Sequence, residues 1–431
     1  MILLDNALQA RETSGNPIRV GIYGAGSMAQ GLMRQVSQQV PGMRISAVCN
    51  RTIERAVGAL NFAGLPKHEM VEGTNQLDDL IRQGIPCVTD DPDVLAGSDL
   101  IDCLVDMTGS VEYGAEVAIH VIKNKKHLVL MNAELDATIG PLLYQRGKES
   151  GVIISCADGD QPGVQMNLFR FVKSLGLTPR VLGNIKGLQD EYRNPTTQAK
   201  FAEQWDQNIT MVTSFADGSK VNFEQCIVGN NTGFTTIKRG MQRLKHEGHV
   251  DDLVHHYDLD EIRSHGGIVD CVIGAKPSPG VFCLAELNDP KQAKYLELFK
   301  MGTGPLYCFY QPYHLCHLET PFTIARAVLF GDYCGHPLGG PALEVVAIAK
   351  RDLKAGERLD GYGGYMTYGQ VEKSQDVQFN SFLPQGLSDG CILIRDILKD
   401  TPLSWNDIRP GSEQLAIKLY VEQQKLFPQD R

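Results

Sequence analysis

The chain has 431 residues, and at roughly 150 residues per domain this length predicts about three domains. It carries 41 basic and 51 acidic side chains, a formal net charge of −10, which argues against a nucleic-acid binder because phosphate backbones attract surplus Lys and Arg. Hydrophobic residues make up 42% and charged residues 21%, too apolar for a disordered chain. No uncharged apolar run approaches the ~20 residues of a membrane-spanning helix.

The N-terminal segment is not typical of a signal peptide, because its apolar stretch is short and Asp5 interrupts it. The 11 cysteines are spread singly, without a C-x-x-C pattern, and most lie in apolar runs. This distribution predicts reduced, buried thiols in a cytoplasmic protein. Glycine is enriched, with 44 residues or about 10% of the chain against ~7% on average.

The first part of the chain alternates between apolar strand patterns and helical patterns. Strands are predicted at 18–23, 45–49, 100–106, 127–131 and 152–156, and helices at 3–12, 27–39, 111–124 and 138–150, with another after residue 52. This alternation predicts an α/β fold with a doubly wound parallel sheet, a Rossmann domain over residues 1–158.

The pattern changes after residue 158. Strands at 180–188, 268–274, 280–286 and 306–309, with helices at 198–210 and 219–231, predict an α+β substrate and dimerisation domain over 159–335. A returning helix near 320–332 is expected to complete the first domain. After a Pro-Gly-rich linker at 335–341, a strand at 345–349 and an echo of 349–357 at 393–400 predict a small β-rich module, 342–431.

A glycine-rich segment follows the first predicted strand. Gly24, Gly26 and Ala29 form a G-x-G-x-x-A pattern that opens a helix, with a second strand about 20 residues on. Gly24 permits a tight turn, Gly26 lets the backbone approach a pyrophosphate, and Ala29 lets the helix pack on the strand. The helix N-terminus, with Ser27 and Met28, would hold the phosphates through backbone N–H groups. The segment predicts a dinucleotide site; the alternative is a turn that binds no ligand.

The end of the second predicted strand bears on the choice of cofactor. It carries Asn50, Arg51 and Thr52 where an NAD-preferring site normally has Asp or Glu. Asn50 can bond a 2′ oxygen, and the planar cation of Arg51 suits a 2′-phosphate and stacks on adenine. The sequence therefore favours NADP(H) over NAD(H); the alternative is that Arg51 is simply solvated.

Two more polar segments follow predicted strands. Thr108 and Gly109 come after the strand at 100–106, and Asn132 and Glu134 after the strand at 127–131. Because the carboxyl ends of parallel strands line the ligand crevice, these residues are predicted on the nicotinamide side. Glu134 is also expected to polarise or orient the substrate.

Candidate catalytic groups lie beyond the first domain. Asp160, Lys186 and Asp217 stand at strand ends or before helices. Lys220 and Glu224 share one helix face if 219–231 is helical, although a surface ion pair has the same spacing. Carbonyl reduction needs a proton donor, and Lys can serve as one or bind a phosphorylated substrate. Lys220 and Lys186 are therefore predicted as acid–base or phosphate-binding groups, with Asp160 and Glu224 orienting.

The histidines leave two questions open. His246, His249, His255 and His256 invite a metal interpretation, but their spacing matches no tight ligand pattern and the flanking charges indicate an exposed loop, so no metal site is predicted. His314 precedes an apolar helix and is either a catalytic group or a packed core residue.

Together these motifs resemble the homoserine-dehydrogenase-like oxidoreductases. The motifs are those at 24–29, 131–134, 159–162, 186–187, 214–220 and 310–315. Within that group they are most similar to the branch of 1-deoxy-D-xylulose 5-phosphate reductoisomerase-like (DXR-like) proteins, and the segment 349–357 resembles the SAF module that closes those chains.

The resemblance implies NADPH-dependent carbonyl chemistry, in the best-known case conversion of 1-deoxy-D-xylulose 5-phosphate to 2-C-methyl-D-erythritol 4-phosphate. Lys220 lies where homoserine dehydrogenases carry their acid–base Lys. Those enzymes usually have Asn-Lys after the fifth strand, whereas Ala133 follows Asn132 here, which argues against true homoserine dehydrogenase activity. The metal-binding carboxylate pattern of the reductoisomerases is also missing, so a divalent metal is unsupported and rearrangement stays open.

Three hypotheses follow. The leading one is an NADPH-dependent reductase of a small, phosphorylated keto or aldehydo polyol, with or without an isomerising step. The second is a plain dehydrogenase, homoserine-dehydrogenase-like or acting in branched-sugar or polysaccharide synthesis. The third is a non-catalytic NAD(P)-binding sensor or scaffold. In each case a homodimer or higher homo-oligomer is expected, with neither nucleic acid nor membrane as partner.

Overall fold

The computed structural model describes residues 2–429, which form sixteen strands. The strands are β1 Ile18–Tyr23, β2 Met43–Cys49, β3 Glu69–Met70, β4 Cys87–Thr89, β5 Cys103–Asp106, β6 His127–Leu130, β7 Ile154–Cys156, β8 Thr178–Lys186, β9 Leu244–Lys245, β10 Ile268–Ile273, β11 Gly280–Glu286, β12 Leu306–Gln311, β13 Leu343–Ala349, β14 Thr367–Lys373, β15 Ile392–Leu393 and β16 Ile408–Arg409.

The same described residues form sixteen α-helices. The helices are α1 Ile2–Thr13, α2 Ser27–Gln39, α3 Ile53–Phe62, α4 Thr74–Arg82, α5 Pro92–Gly97, α6 Val111–Lys123, α7 Ala133–Ser150, α8 Gln161–Ser174, α9 Pro195–Gln204, α10 Ile209–Asp217, α11 Ser219–Thr232, α12 Leu259–Ser264, α13 Pro290–Leu298, α14 Thr320–Phe330, α15 Ser374–Asn380 and α16 Leu415–Leu426.

The chain divides into two compact units. Unit 1 comprises the residues up to Asp160 together with Leu315–His336 and Lys418–Tyr420. Unit 2 comprises Gln161–His314, Pro337–Ile417 and the residues from Val421 on. The three-domain division expected from the sequence stays a prediction.

Unit 1 is built on a seven-stranded sheet in the order β3-β4-β2-β1-β5-β6-β7. Every neighbouring pair in this sheet is parallel. The chain moves outward from β1 to one edge through β2 and to the other through β5, so the order reverses between β1 and β5. The carboxyl ends of strands at such a reversal form the ligand crevice of doubly wound sheets. The predicted α/β, Rossmann-like fold is confirmed.

Helix α14 is part of unit 1, although it comes from a distant part of the chain. Its Ile324 and Ala325 are fully buried in the core that includes Val20 and Ile22 of β1. At the carboxyl end of β7, the Asp158 carboxylate accepts a hydrogen bond from Thr323 Oγ1 of α14 at 2.8 Å and forms an ion pair with Arg326 at 3.2 Å. These two contacts compensate a buried carboxylate.

Unit 2 contains a mixed five-stranded sheet in the order β12-β11-β8-β10-β9. Strand β8 pairs parallel with β10 and antiparallel with β11, so its last residue, Lys186, lies at the edge where β10 also ends. Apolar side chains from β8, β10, β11 and β12 form its core. The long strand β8 is therefore held on both sides, and a polar group at its end has a fixed position.

Glu286, at the end of β11, should confer acid-dependent stability on this sheet. Its buried carboxylate binds Arg180 Nε at 2.8 Å and also accepts from Arg263. The Arg263 guanidinium, followed by Arg180, lowers the pKa of Glu286 from its ordinary value of 4.5 to about 2. A lowered pKa stabilises the fold above the unfolded value, and that stabilisation is lost as the pH falls through the folded one.

The expected effect of Glu286→Gln is a loss of about 3 kcal/mol of unfolding free energy at pH 7, since each pKa unit corresponds to 1.36 kcal/mol. The difference in unfolding free energy between the wild type and Glu286→Gln should become smaller as the pH falls from 4.5 towards 2. Urea unfolding at several pH values measures it, with Glu297→Gln on the exposed face of α13 as the control. A gap of the same size at pH 3 and pH 7 would contradict this origin.

The C-terminal strands of unit 2 form two small cores. Antiparallel strands β13 and β14 bury Ala347 and Ala349 on one face and Val346 and Ile348 on the other. The two echoing segments lie opposite each other, because Leu353 and Ile397 exchange backbone hydrogen bonds of 2.8 and 2.9 Å. The module is rich in β-structure as predicted; its SAF character is not shown.

Two helices differ from their predicted bounds. The helix predicted at 198–210 is two helices, because Asp206 has φ 48° and Asn208 caps α10 through its side chain. Helix α7 starts at residue 133, five residues before the prediction, because Asn132 Oδ1 accepts from the Leu135 N–H and begins the helix there. In both cases an Asn cap decides where the helix starts.

Candidate functional site

The glycine loop of unit 1 has the geometry predicted from its pattern. Gly24 has φ +105°, and a Cβ there would lie 2.8 Å from the Met107 carbonyl oxygen. Gly26 has φ −73°, and a Cβ there would meet nothing within 4 Å. Ala29, in the first turn of α2, is buried. Gly24 is thus required by the turn, whereas Gly26 leaves open space beside the backbone.

The N-terminus of α2 fits a dinucleotide pyrophosphate. Gly26, Ser27 and Met28 are all exposed, so the first turn of this 13-residue helix is open to a ligand. The leading N–H groups of a helix and its dipole attract phosphate, and the open space at Gly26 lets the phosphate approach the backbone. These residues could hold the pyrophosphate of NAD(H) or NADP(H).

The end of β2 has no carboxylate in the three positions 50–52. Asn50 Nδ2 donates to the Thr52 carbonyl at 2.8 Å, and Thr52 precedes α3. Arg51 is exposed, and its guanidinium carbon lies 5.4 Å from the ring centroid of Tyr113. The Arg51 guanidinium, beside this ring, thus lies at the predicted ribose end of the site, where the 2′-phosphate of NADP(H) would pair with it.

Arg51→Ala should raise the Kd for NADPH about 10- to 100-fold and change the Kd for NADH less than about twofold, because a hydrogen bond to a charged group contributes about 1.5–3 kcal/mol. Fluorescence titration of the protein with each nucleotide measures this without a substrate. Arg55→Ala, an exposed Arg on α3, is the matched control. Equal losses for the two nucleotides would show that Arg51 does not select NADP(H).

A buried carboxylate organises the ends of β5 and β6. Asp106 Oδ1 accepts from the Thr108 N–H and hydroxyl at 2.9 and 2.7 Å, and its Oδ2 accepts from Asn132 Nδ2 at 2.9 Å. Asn132 also donates to the Ser110 carbonyl. Burial raises the pKa of Asp106 despite these bonds. Thr108 and Asn132 are therefore held together by the Asp106 carboxylate, which the sequence analysis did not single out, and their place on the nicotinamide side stays a prediction.

Two predicted carboxylates of unit 1 lie along the same edge. Glu134 is buried in the first turn of α7, and Asp160 is the last residue before α8. Between them on α7, burial raises the pKa of Asp136 to about 7, and the charge of Asp160 adds to this rise. Asp136 thus titrates near neutral pH, which no sequence pattern indicated.

Lys186 and Glu224, predicted separately, are brought together in unit 2. The Lys186 ammonium, at the end of β8, lies 3.2 Å from Glu224 Oε2 on α11 and donates to Gln161 Oε1 on α8. Asn184 Nδ2 donates to Glu224 Oε2 at 2.7 Å and to Gln161 Oε1 at 3.2 Å. Glu224 is almost fully buried. A cation and a carboxylate with two amides form one connected cluster, named the Lys186 cluster below.

Glutamines from two helices extend the Lys186 cluster. Gln225 Nε2 donates to Asn184 Oδ1 at 2.9 Å and to Gln165 Oε1 at 3.0 Å, and Gln165 also donates to Asn184. All of these amides are buried. Buried polar networks hold their members in one geometry when their bonds are made. The sequence analysis did not identify these amides.

The other predicted catalytic residues occupy different places. Lys220 is 8% exposed and lies one turn before Glu224 on α11, so the pair is not a solvent-exposed surface pair. Asp217 is buried and pairs with Lys350 at 2.8 Å. Burial raises its pKa, and Lys350 opposes that rise. His314 is a half-buried residue at the end of the first segment of unit 2.

Histidines of the histidine-rich segment lie next to nearby aspartates. His246 Nε2 lies 3.3 Å from Asp252 Oδ2, and His249 Nδ1 lies 3.1 Å from Asp251 Oδ2. Across residues 2–429, no three His, Cys, Asp or Glu side chains are grouped so that they could hold a metal ion. In the same range, no helix is long and apolar enough to cross a membrane.

Two parts of the chain match known protein-family models. Residues 24–156 match the family model described as homoserine dehydrogenase, NAD binding domain. Residues 159–320 match the model described as oxidoreductase DRL, catalytic domain. Residues 24–156 are therefore similar to an NAD-binding domain, and residues 159–320 are similar to an oxidoreductase catalytic domain.

Similarity to individual proteins is more limited. The chain is 27% identical to homoserine dehydrogenase of Bacillus subtilis strain 168 over 134 residues, which span 31% of this chain and only 28% of that enzyme. Among solved structures, a probable dehydrogenase from Thermotoga maritima has a TM-score of 0.35 and 13% identity, covering 74% of this chain and 90% of that one. Myo-inositol dehydrogenase from Lactobacillus casei, in complex with NAD(H) and myo-inositol, has a TM-score of 0.31 and 15% identity, with 42% and 49% covered.

Proposed function

We propose that the protein is an NADPH-dependent reductase of a small, phosphorylated keto or aldehydo polyol. The observation that carries the proposal is the Lys186 cluster, in which a lysine at a strand end is held by a buried carboxylate and by buried amides. The open helix N-terminus at Gly26 and the cation at Arg51 support NADPH as the cofactor.

A bound NADPH supplies the hydride that reduces the carbonyl carbon. The carbonyl oxygen then needs a proton, and the Lys186 ammonium is the donor of the proposed reaction. Glu224 and Gln161 hold the Lys186 Nζ in place for this transfer. The balance is one hydride to carbon and one proton to oxygen, and Lys186 regains its proton from solvent.

Lys220 is assigned to the phosphate of the substrate. It is a nearly buried cation on the helix that carries Glu224, about 40° away around the axis at 3.6 residues per turn. A buried cation favours an anionic ligand because its charge is weakly screened there. Asp160 and Glu134 orient the substrate hydroxyl groups in this proposal.

The test is a turnover assay with the full chain, NADPH or NADH, and a panel of phosphorylated ketoses and aldoses that includes 1-deoxy-D-xylulose 5-phosphate. Loss of absorbance at 340 nm with at least one phosphorylated substrate is expected. Carbon-13 NMR of the product then separates the two enzymatic hypotheses, because a new carbon branch requires rearrangement and an unbranched polyol indicates plain reduction. Tight NADPH binding without turnover on the panel would favour the non-catalytic sensor and contradict the proposal.

We also propose a homodimer in a reducing, cytoplasmic compartment. Ten of the 11 cysteines are buried, Cys316 is partly exposed, and all are free thiols, which suits such a compartment. Sedimentation equilibrium tests the oligomeric state, and fractionation of the source cells tests the location.

A further inference from the structure

Lys350 is a buried lysine that the proposed chemistry does not use. It follows the last residue of β13, and its side chain is 3% exposed. The ammonium donates to the Arg193 carbonyl at 2.8 Å, the Asp217 carboxylate at 2.8 Å and the Gly364 carbonyl at 2.7 Å. A lysine has three donors, so all of them are used. Burying a lysine is costly, and its three acceptors come from separate segments of unit 2.

Through Asp217, Lys350 acts on the start of helix α11. The other oxygen of the Asp217 carboxylate, Oδ1, accepts from the Ser219 N–H at 2.8 Å. Ser219 is the first residue of the helix that carries Lys220 and Glu224. The direction of the first turn of α11 is therefore set by a carboxylate whose own position is fixed by Lys350.

Strand β14 attaches the same helix at two more points. The Gly369 N–H donates to Ser219 Oγ at 2.9 Å, and the Val371 N–H donates to Asn222 Oδ1 at 2.8 Å. The ring of Tyr362 also packs edge-on against buried Phe223, with centroids 5.9 Å apart. A two-residue spacing on the strand thus matches a three-residue spacing on the helix, which fixes both the rotation and the height of α11.

The attached face of α11 is not the face that carries the chemistry. At 3.6 residues per turn, the direction midway between Ser219 and Asn222 lies about 150° from that midway between Lys220 and Glu224. A rotation of the helix that loosened the first face would move Glu224 away from the Lys186 ammonium. Lys350, through Asp217, and β14 therefore act on the side of α11 that faces away from the Lys186 cluster, and these contacts are suited to keeping Glu224 in place.

We propose that Lys350 is a positioning residue for the proposed reaction, and that β13 and β14 form the support of the catalytic helix within unit 2. The inference rests on the proposed function for its catalytic part. Lys350 acts through Asp217 and α11 and does not touch the reacting groups.

The test uses the full chain in three variants. Lys350→Met removes the ammonium, and Asn222→Ala breaks the attachment to β14 without leaving a buried charge unpaired. Lys354→Met is the matched control, since Lys354 is 72% exposed and pairs with Asp396 at the surface. Each variant is assayed for kcat, KM and the pH profile, and for amide hydrogen exchange in residues 219–224.

For Lys350→Met and Asn222→Ala we expect kcat to fall about 10- to 100-fold with KM within threefold, because small misplacements of catalytic groups cost that much. The pH profile should shift, and exchange at the start of α11 should rise at least ~10-fold through local opening. Lys354→Met should match the wild type. If Lys350→Met fails to fold, the Asn222→Ala variant alone tests the positioning proposal.

A folded Asn222→Ala variant with wild-type kcat and pH profile would overturn the positioning role. Failure of the proposed function gives a different result, namely no turnover in the wild type. In that case amide hydrogen exchange alone tests whether Lys350 and β14 hold the start of α11. Unchanged protection of residues 219–224 in both variants would show that they do not.

Discussion

Replacing Lys186 by Met is expected to lower kcat by about 10²–10⁴ while the Kd for NADPH stays within about twofold. Positioned proton donors contribute effects of that size, and Met keeps the length of the side chain without a proton to give. The dinucleotide fingerprint lies at residues 24–29 of unit 1, so cofactor binding has its own determinants. Stopped-flow measurement of NADPH oxidation, with nucleotide titration alongside, tests both parts.

The control for this substitution is Lys173→Met. Lys173 lies on the exposed surface of α8, and its replacement by Met removes one positive charge from unit 2, as Lys186→Met does. Lys220→Met distinguishes the roles of the two lysines, because loss of a phosphate contact raises KM, whereas loss of the proton donor lowers kcat. Wild-type kcat in Lys186→Met together with no turnover in Lys220→Met would contradict these roles. It would indicate Lys220 as the proton donor and Lys186 as the phosphate ligand.

Gly26→Val is expected to raise the Kd for NADPH by about 100-fold or more with only a small fall in melting temperature, because Val is a poorer helix N-cap than Gly. A Cβ at residue 26 would enter open space, so the folded chain has room for it, but this is the space a pyrophosphate needs to reach the helix N-terminus. Binding measured by calorimetry and unfolding followed by circular dichroism check the two halves of the expectation.

The chain provides a matched control at Gly73. This glycine also precedes a helix, has φ −155° and would place a Cβ in open space, but it begins α4, outside the glycine loop. Gly73→Val should leave NADPH binding unchanged and lower the melting temperature by a similar small amount, since it carries the same N-cap cost. A normal Kd for NADPH in Gly26→Val would show that the cofactor does not use this helix end.

Much of unit 1 could be predicted from the sequence because its strands are continuous apolar runs. Strands β1 and β2 and helix α2 lie within two residues of their predicted ends, and the glycine pattern falls at the predicted turn. Buried parallel strands need apolar side chains on both faces, so each gives a strong local signal. The nucleotide fingerprint adds a turn whose backbone only glycine adopts easily.

Short elements and buried polar contacts could not be predicted in this way. Strands β3 and β4 have two and three residues, too few to show a period. Asp106 was part of a predicted strand, and nothing local indicated that its carboxylate would join Thr108 to Asn132. Lys350 and Asp217 are 133 residues apart, so their ion pair exists only after the chain has folded.

The candidate catalytic cluster lies between these two cases. Lys186 and Glu224 were both predicted, Lys186 because it lies at a strand end and Glu224 because it shares a helix face with Lys220. Their contact, and the amides of Gln161 and Asn184 that complete the cluster, depend on the pairing of α8, β8 and α11 in space. The sequence supplied the chemical groups, and the tertiary structure brought them together.

The discontinuity of unit 1 has a consequence for how the chain folds during synthesis. Residues up to Asp160 contain the whole seven-stranded sheet, but the buried Asp158 carboxylate finds Thr323 and Arg326 only when α14 is present. On the ribosome, the nascent sheet must wait for α14, which begins 160 residues after Asp160, before that helix can cover it. A fragment ending at residue 160 would keep the nucleotide motif yet expose the apolar surface that Ile324 and Ala325 cover, and such fragments associate with chaperones or aggregate.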